Sequence, residues 1–472
     1  SEMCIRDRID SFKNVKRRIG RNMEQNKYHA SMFNVLVDEK DGLYLYNSFG
    51  GIGSIRTVEE SARDKVKDIL SGREIEVTED SSSLIQRLID DRFLVPIWYD
   101  EKSDREALFY EYIMDNHLNL VVHTTDACNF RCKYCALDFK SNIISETTQN
   151  SIVNYVRKNI HKYNGLSMEW FGGEPLIGID AIVNMSKQLI EICRKAHVPY
   201  SASVTSNGYL LTEENVKKLT DVRVYCFAVT IDGLKTTHDE QRVYVDGGPT
   251  WDIIIKNLEG IRDKVKSRLV NVIIRGNFTK QMFDELPEFY YVLNEKFGSD
   301  GRFSFFARPA GDWGGDRVKG FLNKLVSADK MELVYKYLWE NQKELKANYN
   351  LFNISTCGAM CRSVKKNRYV ITSYGKIQKC ESCSVLNEIG ALKENGDMEI
   401  DYHKEGMWTV GYRRRKMESC DNCPLSCSCL FGSCPREGVL HQDNKNCGYI
   451  IEYKSLIQLA AKTLEVEKIG EK

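Results

Sequence analysis

Between residues 119 and 310 of this 472-residue chain, short strand-like runs alternate with longer segments whose apolar positions recur at helical spacing. The runs are LNLVVH (118–123), LSMEWF (166–171), YSASVTS (200–206), YCFAVTI (225–231), LVNVIIRGNF (269–278) and RFSFFA (302–307). A representative helical pattern is SETTQNSIVNYVRKNI (145–160), with Ser145 as N-cap and Ile152, Val153, Tyr155, Val156 and Ile160 apolar. Six such βα units predict a parallel sheet with helices outside it. Six is too few for a closed eight-stranded barrel, and ligands of such sheets gather at the C-terminal strand ends.

Ahead of this region, residues 28–99 predict a separate α+β unit. Two strand-like runs, MFNVLVDE and GLYLYN, are joined by the turn signal Lys40-Asp41-Gly42. Two short amphipathic helices, at roughly 60–70 and 82–92, and a strand-like FLVPIWY follow. The opening SEMCIRDR has no periodicity and reads as an extraneous remnant, so it is set aside together with Cys4.

With 42% hydrophobic residues the protein can bury a large core, and its length exceeds the roughly 100–200 residues of a usual domain. A net charge of +1 gives no electrostatic case for nucleic acid or an anionic membrane. No run of about 18 apolar residues and no signal-peptide pattern appear, so a soluble cytoplasmic protein is expected. Sixteen cysteines without an export signal then argue for metal ligation rather than disulfides.

The sharpest chemical signal is DACNFRCKYCALDF, where Cys128, Cys132 and Cys135 form C-x3-C-x2-C. Three thiolates on a cubane that needs four ligands leave one iron open to bind a substrate atom. A zinc loop or a chance group of core cysteines is the plain alternative. Further polar signals fall at strand ends: Gly172, Gly173 and Glu174 in WFGGEPL; Thr205, Ser206 and Asn207 in TSNGYL; Asp232-Gly233 before LKTTHDEQR, with His238, Asp239 and Arg242; and Arg275 in IIRGNFT. Two glycines let a backbone approach a ligand closely, a neighbouring carboxylate can accept from an ammonium, and arginine suits a carboxylate. Each alone is also an ordinary turn or a surface ion pair. Beyond residue 310 come Cys361, Gly375 and Cys380, then Cys420-x2-Cys423-x5-Cys429-x4-Cys434 and Cys447.

On these motifs the protein resembles the radical SAM enzymes, and its C-terminal cysteines resemble the SPASM extension of that family. The resemblance implies an α/β fold: a partial (β/α)6 TIM-like barrel with an N-terminal winged-helix-like α+β domain and a C-terminal loop-rich Fe–S domain. The implied division is a tail over 1–27, a peptide-recognition domain over 28–110, the radical SAM core over 111–315, a helical linker over 316–356 and the SPASM domain over 357–472. In the family the open iron chelates the amino and carboxylate groups of S-adenosylmethionine, and reduction releases a 5′-deoxyadenosyl radical. Contacts to that cofactor are assigned by resemblance to Tyr134, Gly172, Gly173, Glu174, Thr205, Ser206, Asn207, Asp232 and Arg242, with Arg275 competing for the carboxylate.

Two auxiliary 4Fe–4S clusters are implied as well. One would take Cys361, Cys380 and Cys434, with Cys357 of CGAMC as fourth ligand. The other would take Cys420, Cys423, Cys429 and Cys447. The four-residue gap between Cys429 and Cys434 departs from the family's three, which leaves Cys427 as an alternative to Cys429. Zinc knuckles are the structural alternative. Cys193, in a helix, and Cys226, in a strand, are expected in the core.

The winged-helix-like segment would bind a leader peptide by strand addition or would merely cap the barrel's base. The balanced charges of EESARDKVKDIL argue against a nucleic-acid winged helix. The implied activity is hydrogen abstraction from a ribosomally made, Cys-containing precursor peptide, with a thioether as product and a flavodoxin or ferredoxin as reductant. Glu381, directly after Cys380, matches the acidic base of sulfatase-maturating enzymes, which form formylglycine. A non-catalytic iron–sulfur carrier is the alternative of another class.

Overall fold

The computed structural model describes residues 26–472 except 79–80, 138, 313–315, 342–345, 349–353, 359, 382–386, 412–417, 430–434, 436–452, 465 and 471–472. The N-terminal strands are β1 (Lys27–Ala30), β2 (Asn34–Glu39), β3 (Gly42–Asn47), β4 (Arg56–Val58), β5 (Ile75–Glu76) and β6 (Leu94–Pro96). β2 and β3 form the expected hairpin, paired from Asn34↔Asn47 to Glu39↔Gly42. The helices Arg63–Ile69 and Ser83–Asp90 lie where amphipathic spacing placed them.

The sequence GLYLYN carries apolar or aromatic side chains on both faces of β3. Leu43 and Leu45 enter a small core with Val66, Leu84, Leu88 and Phe93, while Tyr44 and Tyr46 enter the main core. With period-2 alternation, one strand thus fastens the N-terminal unit to the rest of the molecule. The Tyr46 hydroxyl lies 2.6 Å from Ser428 Oγ and donates to the Ile354 carbonyl at 2.8 Å.

The central sheet contains β7 (His117–Thr125), β8 (Gly165–Gly172), β9 (Tyr200–Ser206), β10 (Val224–Thr230), β11 (Asn271–Phe278) and β12 (Phe303–Pro309), all parallel and in sequence order. Each matches one of the six runs read from the sequence, and crossover helices such as Glu146–Asn159 and Ile179–Ala196 separate them. Ser145 Oγ accepts from the Thr148 amide at 3.1 Å, so the predicted N-cap forms.

Two parallel strands lie outside that reading. β13 (Lys346–Asn348) adds to β12, and β14 (Arg368–Ile371) adds to β7. The sheet then continues antiparallel through β15 (Lys376–Gln378), β16 (Glu388–Leu392) and β17 (Met398–Ile400). The segment 316–356, expected as a helical linker, therefore contributes a strand besides the helices Asp316–Lys319 and Ala328–Glu340. Last, β18 (Lys468–Ile469) pairs in parallel with β4, and Ile469 is fully buried in the small core.

Among the remaining cysteines, Cys193 is in the core as expected, at 1% exposure. Cys226 is not: the β9–β10 register shifts between Val224 and Cys226, and this irregularity turns the side chain to the open face of the sheet. There it lines a cavity of about 250 Å³ with Ser203, Glu169 and Arg368.

Candidate functional site

The cysteine loop leaves the C-terminal end of β7 and is held from two sides. On one side, the Gly173 amide donates to the Thr125 carbonyl and the Glu174 amide to the Ala127 carbonyl, both at 2.9 Å. A Cβ on Gly172 would fall 2.2 Å from Thr125 O, and one on Gly173 would fall 2.2 Å from Ala127 O. Gly172 also adopts φ 126°, which L side chains avoid. The two glycines therefore answer first to the close approach of the cysteine loop itself. On the other side, the Arg131 amide donates to Val243 O at 2.8 Å and Lys133 to Gln241 O at 3.0 Å, and buried Phe130 packs edge-on to Tyr209 and Tyr244.

Cys128, Cys132 and Cys135 are close enough to influence one another electrostatically. Burial pushes the Cys128 thiol up to about 12, with the Glu174 carboxylate adding to it. Burial likewise raises Cys132 to about 11, against the pull of Arg242. Such thiols need a cationic centre to deprotonate them. Among the described residues, no three His, Cys, Asp or Glu side chains converge as the ligands of a single ion. A cubane takes one thiolate per iron, so its ligands need proximity rather than a common point.

Glu174 is fully buried and spends both oxygens inside the protein. Its Oε1 accepts from the Leu176 amide at 3.1 Å and from Ser206 Oγ at 2.8 Å, and its Oε2 from the Asn207 amide at 2.7 Å. Burial raises its pKa, against these donors. Asn207 then donates through Nδ2 to Asn129 Oδ1 at 2.7 Å, with Cys128 Sγ 4.0 Å away. The expected ammonium acceptor thus ties the ends of β8 and β9 to the cysteine loop. Thr205, half-buried on β9, pairs with Ala228.

A second network closes the ends of β10 and β11. Asp232, fully buried, accepts from the Asn277 amide at 2.9 Å and from the Tyr134 hydroxyl. Arg242 donates to the Tyr134 oxygen at 2.7 Å and lies 3.6 Å from Asp232. Burial opposes its charge, but Cys132, Tyr134 and Asp232 hold its pKa well above the usual arginine range. His238 Nδ1 accepts from the Asp232 amide at 3.1 Å, so its role is to fix this turn; burial, reinforced by Arg242, keeps the ring neutral. Asp239 Oδ1 accepts from the amides of Thr250 and Trp251, both at 2.8 Å. Asn129 and Asn277 escaped the sequence reading; the rule of C-terminal strand ends would have found Asn277.

Buried polar atoms without partners surround this centre: Asn129 Nδ2, Arg242 Nε and Arg275 Nε. Three gathered thiols and unspent donors beside them fit an iron–sulfur cluster carrying a polar, carboxylate-bearing cofactor.

In the C-terminal region Cys357 and Cys361 both act electrostatically on half-buried Tyr112, whose hydroxyl donates to Met360 O at 2.9 Å. Cys361 also reaches Arg308 and Arg368, as does Glu381 next to Cys380. Glu381 accepts from Arg368; burial would raise its pKa, yet Arg368 holds it below the usual carboxylate range. Cys420, Cys423 and Cys429 are partly exposed on the turn Glu418–Asn422, the bend after it and the short helix Ser426–Cys429. Cys427 is fully buried with Phe33 and Phe109, whereas Cys429 is partly exposed. Cys434 and Cys447 lie outside the described residues.

Residues 122–290 match the Radical SAM superfamily, so a radical SAM domain occupies the βα units that form this centre. The protein is 26% identical over 283 residues to the GTP 3′,8-cyclase of Aquifex aeolicus, a match spanning 55% of this sequence and 81% of that protein. It is also 26% identical over 179 residues to the tungsten-containing aldehyde ferredoxin oxidoreductase cofactor-modifying protein of Pyrococcus furiosus, spanning 37% of this sequence and about half, 48%, of that relative. Among solved structures, anSMEcpe with bound AdoMet and Cp18Cys peptide matches at TM-score 0.55 and 19% identity, over 74% of this protein and 98% of that one. That likeness establishes a common α/β fold with a parallel sheet.

Proposed function

We propose that the protein is a SPASM-type radical SAM enzyme that modifies a ribosomally made peptide in the cytoplasm, using three 4Fe–4S clusters. The observation that carries this reading is the convergence of the cysteine loop, Glu174, Asn207, Asp232 and Arg242 at the C-terminal ends of β7 to β10. Bound S-adenosylmethionine on a reduced cluster supplies a 5′-deoxyadenosyl radical that takes hydrogen from an unactivated carbon. Cys128, Cys132 and Cys135 would hold the cluster, and Arg242 the cofactor's carboxylate. Tyr134 and Asp232 fix the Arg242 guanidinium in place, and Phe130, fully buried, excludes water behind the loop.

Several observations favour a peptide as substrate. The fold resembles that of anSMEcpe, whose structure holds a peptide. The β2 edge of the N-terminal sheet has no strand partner among the described residues, whereas the β4 edge is filled by β18. Of the two edge strands of this sheet, β2 with six residues and β18 with two, β2 is the one long enough for a leader peptide to add to. Glu381 Oε1 is committed to Arg368, which leaves Oε2 as the atom that would accept a substrate proton.

A thioether between a peptide cysteine and a carbon is the preferred product; formylglycine formation is the second reading, favoured by Glu381 and by the anSMEcpe fold. The test is anaerobic co-expression with the nearest short open reading frame and mass measurement of its peptide. Loss of two hydrogens with a consumed thiol supports the thioether, and an aldehyde supports formylglycine. If reconstituted protein with S-adenosylmethionine and dithionite releases no 5′-deoxyadenosine, the enzymatic reading fails in favour of an electron carrier. No helix of the described residues is long and apolar enough to cross a membrane.

A further inference from the structure

A second cavity, of about 230 Å³, lies between the cysteine loop and the antiparallel extension of the central sheet. Its walls include His123 at the end of β7, Asp126 and Lys140 on either side of the three cysteines in sequence, Lys376 on β15, Glu388 on β16 and Glu381 next to Cys380. A side chain lodged there has the loop proposed to hold the radical-generating cluster on one flank and a proposed auxiliary-cluster segment on another. A residue that gives up first a hydrogen atom and then an electron belongs in such a place.

The charges around this cavity already balance. Glu388 accepts from Lys376 at 2.9 Å, Glu381 accepts from Arg368, and Asp126 accepts from Ser373 Oγ at 2.8 Å within electrostatic reach of Lys140. A charged occupant would therefore bring a charge without a counterpart. His123 is the wall that lacks a partner. Leu120 and Val122 face the main core, so alternation turns His123 to the open face of the sheet, where it pairs with Phe171 and the two rings lie 5.5 Å apart. The His123 side chain is buried, with Nδ1 3.6 Å from Asp126 Oδ1. The Asp126 carboxylate favours the ring tautomer with its proton on Nδ1, which leaves Nε2 as an acceptor. Nε2 is buried and has no hydrogen-bond partner among the described residues. A buried acceptor in that state is unfavourable until a donor reaches it.

We propose that this cavity receives a neutral thiol- or hydroxyl-bearing side chain of the peptide being modified, and that His123 Nε2 is the acceptor that holds it. This rests on the reading of the protein as a peptide-modifying radical enzyme. A cysteine thiol and a serine hydroxyl offer the same single donor on a short stem. An alkyl group of the same size fills the space but leaves Nε2 unpaired, so the site selects for the donor rather than for bulk.

The test uses the full-length protein, reconstituted anaerobically with iron and sulfide, in saturating S-adenosylmethionine so that no probe thiol reaches the open iron. Three probes of nearly the same shape are titrated by calorimetry: acetyl-Gly-Cys-Gly-amide, acetyl-Gly-Ser-Gly-amide and the same tripeptide with α-aminobutyrate, which ends in a methyl group, at the centre. The Cys or the Ser probe should bind about tenfold tighter than the α-aminobutyrate probe, and the tighter of the two identifies the side chain. His123→Phe keeps a ring beside Phe171 without the nitrogens, and His123→Asn keeps an amide near Asp126 without reaching the Nε2 position. Each should reduce the preference to about twofold or less. Equal binding of all three probes, or binding of none, overturns the proposal, and so does a preference that both variants retain. Binding is read without turnover, so absence of 5′-deoxyadenosine when dithionite is added to the same preparation would count separately, against the enzymatic reading.

Discussion

Replacing Glu174 by Gln separates a carboxylate that touches the cofactor from one that shapes the protein around it. The wild-type side chain is fully buried and accepts three hydrogen bonds, two on Oε1 and one on Oε2. A glutamine has one acceptor oxygen. With that oxygen in the Oε1 position, the Leu176 and Ser206 donors are kept, but the new amide group faces the Asn207 amide, donor against donor. Turned the other way, it keeps Asn207 and confronts the other two. At least one buried donor is lost, at a cost of about 1–3 kcal/mol, more where the lost acceptor was charged. Removing a buried charge offsets part of this, consistent with the raised pKa of Glu174, which leaves about 2 kcal/mol.

That energy falls on the turn carrying Asn207, which lies beside Cys128. Local opening there should become about 30-fold more frequent, because about 1.4 kcal/mol is a tenfold change. Hydrogen exchange followed by mass spectrometry on peptides spanning 203–209 reads this directly, in protein without S-adenosylmethionine. The exchange of peptides spanning 101–113, in a helix remote from this turn, should stay the same. Unchanged protection at 203–209 together with lost S-adenosylmethionine binding would refute the argument and restore Glu174 as a direct ligand of the cofactor.

Anaerobic reconstitution should yield about twelve irons per protein, and joint replacement of Cys128, Cys132 and Cys135 by Ala should leave about eight with no cleavage of S-adenosylmethionine; stoichiometric zinc with four irons would sink the auxiliary-cluster assignment. Glu381→Gln should lower peptide modification by on the order of 10²-fold while iron content persists, and normal modification would remove the base role. Tyr46→Phe leaves the Ile354 carbonyl and Ser428 hydroxyl without their buried partner and should lower stability by about 2–4 kcal/mol in denaturant titration; no change would show that the N-terminal unit is not fastened there. Addition of the precursor peptide should slow hydrogen exchange in residues 34–39, the free β2 edge, and unaltered exchange would count against leader binding by strand addition.

The six βα units, the hairpin Asn34–Asn47, the Ser145 cap and the cysteine loop at a strand's C-terminal end were all legible in the order of the amino acids. Those are local properties: a period of two or 3.6 and a fixed thiolate spacing are written within a few dozen consecutive residues. Where the short segments pair emerges only in the folded molecule. β13, β14 and β18 span two to four residues, too few for a period, and β18 finds its partner in β4 some four hundred positions earlier. The roles of Gly172, Gly173 and Glu174 belong to the same class, because the carbonyls of Thr125 and Ala127 and the donors of Ser206 and Asn207 reach them only once neighbouring strands are in register. A register shift turned Cys226 out of the core, and three-dimensional packing alone distinguished buried Cys427 from partly exposed Cys429.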